Sequence, residues 1–249
     1  MDGQPETAAV FCDRQFANSR TDWTDSNVGA VAMGESFGFY TKRQGCNGWQ
    51  VSLLTGVFSR FNMDTPSTEL INTDFVVGLP VTWRKGSWSA RVRYYHQSSH
   101  VGDEYLLSRP GFNRLNFSVE EADAILSYDY RQTRFYAGSG VLLHREPASL
   151  DRHKVQWGFE ARGPSIASPF IGIISEGLIV TPVVAVDCKS FEALHWVVNA
   201  NVVGGLEWSR PESLRRFRIM VNYYHGFNPY GQFIAQKIET VGAEIYLSF

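Results

Sequence analysis

The chain has 249 residues, 14% of them aromatic, and a formal net charge of −2. Only 19% of the residues are charged, and no basic run of the kind that nucleic acids require is present, so we expect no nucleic-acid partner. The most apolar stretch, residues 170–186, is interrupted by Ser175, Glu176, Thr181 and Pro182. No uninterrupted apolar stretch therefore reaches the length of about 18 residues that a membrane-spanning helix needs.

The N-terminal segment 1–26 is polar and lacks periodicity, which predicts a tail or an internal plug, followed by a single domain over 27–249. The chain opens on a polar run rather than on the charged and then apolar segment of a secretory leader. Because the remainder has the pattern of an exported protein, we expect that a leader has been removed. An oxidising compartment would allow a Cys12–Cys46 disulfide, and unpaired thiols are the alternative.

From residue 27 onward the dominant period is two, which is typical of strands with unlike faces. Val92 and Tyr94, for example, alternate with Arg91 and Arg93. The same pattern recurs in roughly twelve segments of about 9–13 residues, many with Trp or Tyr near their ends. These lengths and end residues are those of membrane-spanning strands flanked by aromatic girdles.

The width of such a barrel indicates which face is apolar. A barrel of a dozen strands encloses too much space for apolar side chains to fill, but charged side chains and water can occupy its lumen. The apolar face is therefore expected to point outward, toward lipid. The last segment, 236–249, ends at Phe249, and a terminal Phe resembles the recognition signal of outer-membrane barrels. We predict an all-β fold, a transmembrane antiparallel β-barrel of about 12 strands in a bacterial outer membrane. A soluble β-sandwich or barrel is the alternative.

Four arginines have the parity of the lumen, namely Arg91, Arg93, Arg216 and Arg218. A charge in a narrow lumen needs a partner. We expect these arginines to pair with lumen carboxylates, for which the sequence offers Glu120, Glu160, Glu207 and Glu244.

At the end of one predicted hairpin, three polar side chains occupy alternating positions that are otherwise apolar. His96 and Ser98 continue the row of Tyr94, and Asn113 is predicted to lie in the row of Phe117 on the next strand. Polar groups that face lipid are costly and call for a functional explanation. A histidine can take the proton of a serine hydroxyl when a third group orients its ring. We therefore expect a hydrolytic site with Ser98 as nucleophile, His96 as base and Asn113 as the orienting group.

This segment, His96-Gln97-Ser98 followed by Ser108-Arg109 and Asn113-Arg114-Leu115, resembles the active-site segment of outer-membrane phospholipase A. The resemblance implies a lipid-facing site, phospholipid as substrate, and a calcium-bound homodimer. Asp103 and Ser108 would be the candidate calcium ligands. The chain departs from that family at Ser99-His100, where the family has Asn-Gly, and in a longer interval from the histidine to the asparagine.

Lipid A deacylases have a similar His-x-Ser with a carboxylate as third member, which would make Glu104 or Asp103 the orienting group and lipopolysaccharide the substrate. Over most of its length the chain also resembles a family described only as a domain of unknown function. That resemblance rests on Gly34-Glu35-Ser36, residues 70–74, residues 95–100 and His144-Arg145-Glu146-Pro147. A non-catalytic barrel, either structural, adhesive or a narrow pore, is the alternative function.

The direction of the His96 strand relative to the last strand depends on which segments are counted as strands. If segment 27–40 belongs to the wall and 165–176 contains no strand, the His96 strand runs in the same direction as the last strand. If 165–176 contains a strand and 27–40 lies outside the wall, the two run in opposite directions. We favour the second count, which would bring the site to the leaflet opposite the one where the chain ends.

Overall fold

The computed structural model describes the backbone of residues 8–19, 22–167, 177–213 and 215–248, and side chains from residue 26 onward. Phe249 lies outside the described residues. Within the described part, no helix is long and apolar enough to cross a membrane.

Strands make up most of the described chain. The strands are β1 (Ala8–Ser19), β2 (Asp22–Gln44), β3 (Asn47–Asn62), β4 (Glu69–Lys85), β5 (Trp88–Val101), β6 (Phe117–Tyr130), β7 (Thr133–Glu146), β8 (His153–Arg162), β9 (Ile166–Ala167), β10 (Ile179–Phe191), β11 (Val198–Ser209), β12 (Arg216–Phe227) and β13 (Lys237–Ser248). A short helix, α1 (Asp103–Ser108), and two 3₁₀ turns, η1 (Glu192–Leu194) and η2 (Gly231–Phe233), lie in the connections.

The strands close into a ring. Each of the twelve long strands pairs antiparallel with its two neighbours, β8 pairs with β10, and β13 pairs with β1 through Ala8↔Leu247 to Ala17↔Ile238. The two-residue strand β9 adds to β10 only. An antiparallel barrel of about 12 strands is thus confirmed for the described residues.

Two segments lie in other parts of the structure than the sequence predicted. Residues 8–19 form β1 within the ring, and residues 27–40 lie in β2, so both belong to the wall where a tail or plug was expected. Their backbone groups gain ladder partners on both sides, which outweighs their weak side-chain pattern. Of the predicted strand at 165–176, only β9 is described. Seven antiparallel pairings lead from β5 through β6, β7, β8, β10, β11 and β12 to β13, so β5 is antiparallel to β13, as the favoured count required.

The two ends of the barrel differ in their connections. One end, which we call the turn end, has the two-residue turns 45–46, 86–87 and 131–132, in which Gly45, Gly86 and Arg131 have positive φ. Such φ values suit the tightest hairpins. The longer connections 163–178 and 210–215 lie at the same end. The other end, the loop end, has the connections 63–68, 102–116, 147–152, 192–197 and 228–236. Cys46 in the first of these turns is a free thiol, so no Cys12–Cys46 disulfide is formed among the described residues.

The outer wall is apolar between aromatic ends. Val92, Leu79 and Val221 are half exposed or more on this wall, although each is strongly hydrophobic. Trp88 stacks near Tyr128 at the turn end, with ring centroids 4.8 Å apart. An outward apolar band with aromatic residues at its edge is what a membrane-spanning barrel requires.

The lumen is charged, and its charges are paired. Glu207 accepts hydrogen bonds from Arg162, Arg216 and Arg218 at 2.7–2.8 Å, which confirms the pairing expected for the last two arginines. Arg91 and Arg93 instead contact Asp123, because Glu120 points to the outer wall.

The connection 228–236 folds back into the loop end of the lumen and fills part of it. We call this segment the plug loop. Its Gln232 donates to the carbonyls of Ser99 and Leu115 at 2.7 Å each and accepts from the Leu115 amide. Phe233 packs with Val28, Ile71 and the aromatic rings of Tyr105 and Phe112. The lumen therefore contains a small apolar core at this end, beside the buried polar side chains of Arg60, Asn72 and Asp74, and a polar cavity extends past it.

The cost of an outward charge should depend on its position within the apolar band. Replacing Val221, in the middle of β12, with Arg should cost about 2–4 kcal/mol of folding free energy, because the guanidinium would face hydrocarbon. Replacing Thr133, the outward first residue of β7 at the turn end, with Arg should cost about 0–1 kcal/mol. Urea unfolding in lipid vesicles measures both values, and equal costs would contradict a lipid-facing wall.

The plug loop gives a second prediction. Gln232→Ala removes three hydrogen bonds and leaves buried carbonyls without partners, at a local cost of about 1–3 kcal/mol. Amide hydrogen exchange should accelerate by about tenfold or more in the plug loop and at Leu115. Gln236→Ala, at an exposed position of the same loop, is the matched control. Unchanged exchange in the Gln232 variant would show that the loop is held by its apolar contacts alone.

Candidate active site on the outer wall

His96 and Ser98 lie on the outer wall of β5, as their parity predicted. Val92 and Tyr94 of the same row are exposed, whereas Arg93 and Gln97 of the other row face the lumen. His96 is eight residues from Trp88, which is about 27 Å along a strand and roughly 20 Å of height at the usual tilt. An apolar band is about 25 Å tall, so the two side chains lie near its loop-end edge.

The ladders of β4, β5, β6 and β7 place other polar side chains beside them on the same face. His96 is directly opposite Glu120 of β6, and Ser98 is opposite Ser118. Glu120 is in turn opposite His144 of β7. Directly opposed residues have Cα atoms about 4.5–5.5 Å apart, which is within contact distance for these side chains.

Glu120 is held in place from the turn-end side. The hydroxyl of Tyr94 donates to the Glu120 carboxylate over 2.8 Å. This bond crosses from β5 to β6 along the outer wall and leaves the second carboxylate oxygen available to an imidazole. A carboxylate fixed in this way can orient a histidine ring and stabilise its protonated form.

The contacts of an assembled triad are not made. Among the described residues, the side chains of His96 and Ser98 form no hydrogen bond with each other or with Glu120. Catalytic hydrogen bonds are often long or poorly aligned until substrate binds. The ladder therefore defines which side chains are neighbours, and their rotamers are not in a catalytic arrangement.

An apolar depression of about 520 Å³ adjoins His96 on the wall. It crosses β2, β3 and β4. Met33, Val57 and Phe75 line one side, and Glu35, Thr55 and Val77 line the other. Small side chains, Thr55 and Val57, form its middle. Across three strand spacings it is about 14 Å long, and it ends at His96.

Asn113 is not on a strand. It lies exposed in the irregular segment between α1 and β6, and β6 begins only at Phe117. The predicted parity of β6 is also wrong, since Phe117 and Val119 are 6% and 3% exposed and face the lumen. The physical reason is the plug loop, whose Gly231 lies against the Phe117 ring.

The hydrophobic pattern of β6 therefore exchanges faces along the strand. Toward the turn end, Asp123 faces the lumen and Leu126 faces outward. Toward the loop end, Val119 faces the apolar plug and Glu120 faces outward. This exchange is the signal that sequence reasoning missed. A reversal of the alternating pattern, from 123 to 117, could have indicated it.

The other predicted residues are engaged elsewhere. Glu104 of α1 accepts a hydrogen bond from Ser67 in the β3–β4 connection. The Ser108 hydroxyl donates to Glu69, and Arg109 contacts both residues at 2.7–2.9 Å.

A calcium ion does not fit Asp103 and Ser108. The Arg109 guanidinium already lies on the Ser108 oxygen and would repel a second cation. In the described part of the chain, no group of three or more His, Cys, Asp or Glu side chains could hold a metal ion. We therefore derive no step through a metal.

A family model described as "Protein of unknown function (DUF1207)" matches residues 6–249. No curated relative matches the sequence.

Solved structures match over nearly the whole chain. Outer membrane phospholipase A from Escherichia coli is 10% identical, with 98% of this chain and 90% of that chain covered and a TM-score of 0.63. The Salmonella typhi outer membrane phospholipase dimer with bound calcium is also 10% identical, with 98% and 90% covered and a TM-score of 0.61. The β domain of the Bordetella autotransporter BrkA is 13% identical, with 100% of both chains covered and a TM-score of 0.50. At these identities the similarity establishes the fold, which is that of outer-membrane barrels.

Proposed function

We propose that this chain, which belongs to the family described as "Protein of unknown function (DUF1207)", is an outer-membrane hydrolase that cleaves acyl esters of membrane lipids. Ser98 is the nucleophile, His96 the general base, and Glu120 the residue that positions His96. The observation that carries the proposal is the ladder register, which aligns Ser98, His96 and Glu120 as neighbours on a lipid-facing wall.

The polar cluster has a cost that a purely structural barrel would avoid. His96, Glu120 and His144 occupy adjacent outward positions at the edge of the apolar band, where isoleucine or valine would be stable. Girdle residues are usually Trp and Tyr. A row of imidazoles and a carboxylate beside two serines instead provides the groups that acyl transfer needs.

The chemistry proceeds in two steps. Ser98 Oγ attacks the ester carbonyl carbon while His96 takes its proton, and the tetrahedral intermediate expels the alcohol, which receives that proton. Water then gives its proton to His96 and attacks the acyl-serine, so that fatty acid leaves and Ser98 regains its proton. Glu120 stabilises the imidazolium in both steps. The Ser118 hydroxyl, opposite Ser98, is the candidate donor to the oxyanion.

The surroundings favour a lipid as substrate. The apolar depression that ends at His96 provides a place for an acyl chain beside the nucleophile. Because the site is on the outer wall, a lipid would reach it without leaving the bilayer. β5 is antiparallel to β13, so a last strand that ends in the periplasm would place the site in the outer leaflet. In the outer leaflet, displaced phospholipid and lipid A would both present acyl esters to the site, so either could be the substrate.

Removal of the nucleophile tests the activity itself. Ser98→Ala should lower the release of fatty acid from detergent-dispersed phospholipid or lipid A by about 10³-fold or more. Ser139→Ala, which removes an exposed serine of β7 from the wall below the site, should keep wild-type activity. If the wild type releases no fatty acid from either lipid, or if the Ser98 variant remains active, this function is wrong and a non-catalytic barrel is favoured.

Substitutions of Glu120, Glu104 and Asn113 test which residue orients His96. Glu120→Gln should lower kcat by about 10²–10⁴-fold with little change in KM, because the imidazolium loses its counter-charge. Asn113→Ala and Glu104→Gln should have near wild-type kcat. A large loss in the Asn113 variant instead would mean that segment 109–116 rearranges over the site and that Asn113 orients His96.

A further inference from the structure

At the turn end, outward aromatic residues are repeatedly followed by an exposed cation closer to the rim. In β2, Tyr40 is followed by Lys42, and in β4, Trp83 is followed by Lys85, with both members of each pair exposed. The registers Lys42↔Trp49 and Lys85↔Trp88 place both lysines in outward rows beside further tryptophans.

The pattern continues around the ring. Arg131 lies over the ring of Tyr130, with 5.4 Å between its guanidinium carbon and the ring centroid. Trp208 and Phe217 form an outward pair with centroids 5.6 Å apart, and two residues further toward the rim lie the exposed Arg210 and Arg215. The five cations, which we call the basic rim, are Lys42, Lys85, Arg131, Arg210 and Arg215.

In the part of the chain that the structure describes, none of the five members of the basic rim forms an ion pair. The nearby carboxylates of Asp129, Glu160 and Glu207 face the lumen and are bound by other arginines. The exposed Glu212 in the β11–β12 connection is one acid against two arginines of the same connection.

The loop end has a different balance of charge. Its connections expose Asp64, Asp103, Glu104 and Asp151. Two of its cations are occupied, since Arg109 pairs with Glu69 and Arg145 donates to a backbone carbonyl. Its exposed cations Arg114, Arg152 and Lys237 are thus accompanied by exposed acids, whereas the basic rim has one acid, Glu212, among the described residues of its connections.

We propose that the basic rim binds the headgroups of anionic phospholipids such as phosphatidylglycerol. Aromatic girdle residues lie at the membrane–water interface. Lys42, Lys85, Arg210 and Arg215 are each two residues from an outward aromatic residue and therefore lie about 5 Å further out at the usual tilt, at the level of the phosphates, and Arg131 directly follows Tyr130 in the turn. Lys and Arg at that level attract anionic lipid strongly. The turn end would then occupy an anionic phospholipid leaflet and the His96 site the opposite one. The proposal requires a membrane barrel but no catalysis.

Tryptophan quenching by brominated lipids tests this binding, because Trp49, Trp83, Trp88 and Trp208 all lie at the turn end. The full chain, folded into vesicles of phosphatidylcholine containing either brominated phosphatidylglycerol or brominated phosphatidylcholine, yields the relative binding constant of the two lipids. We expect a preference for phosphatidylglycerol of about fivefold at low salt that falls in 0.5 M NaCl.

Two variants with four substitutions each locate the preference. Lys42→Gln, Lys85→Gln, Arg131→Gln and Arg210→Gln together should reduce the relative constant to about one. The matched loop-end variant, Arg114→Gln, Arg145→Gln, Arg152→Gln and Lys237→Gln, should keep the wild-type value. The single variants Lys85→Gln and Arg131→Gln, each with a partial loss, serve if the first variant does not fold. Equal quenching by both lipids in the wild type, or equal loss in both variants, would overturn the proposal.

Discussion

The constraint on which the structure depends is that backbone polar groups cannot be left unpaired in hydrocarbon. Each unsatisfied N–H or C=O costs several kcal/mol there, so a sheet that crosses a membrane must close on itself. The ladder between β1 and β13 provides this closure. It also explains why a polar N-terminal segment without clear periodicity becomes part of the wall.

Closure of the barrel leaves each strand side chain facing either the lumen or the outer wall. Lumen-facing charges satisfy one another, as around Glu207, and outward positions are apolar and flanked by aromatic residues. The plug loop changes this rule at the loop end. Because the plug loop offers apolar contacts there, such as that of Gly231 with the Phe117 ring, Phe117 and Val119 turn inward and Ser118 and Glu120 turn outward. The packing of the plug and the polar cluster on the wall are thus two consequences of the same reversal.

The ends of the barrel differ in their charged and aromatic side chains. The turn end has girdle aromatics and cations that form no ion pair among the described residues, whereas the loop end has exposed acids and the cluster around His96. A bilayer whose leaflets differ in headgroup chemistry would favour one orientation of such a molecule. Orientation in turn decides which lipids can reach the outward serines and histidines.

The sequence by itself determined the barrel, its approximate strand number, and the outward positions of His96 and Ser98. These follow from a period of two, which depends only on neighbouring residues. Their partner on β6 could not be read in this way, because cross-strand register and the start of β6 depend on segment 102–116 and on the plug loop far along the chain. The tertiary structure therefore replaced Asn113 with Glu120 beside His96, and placed β1 within the ring. Both outcomes required pairing between distant segments, whose geometry no local pattern encodes.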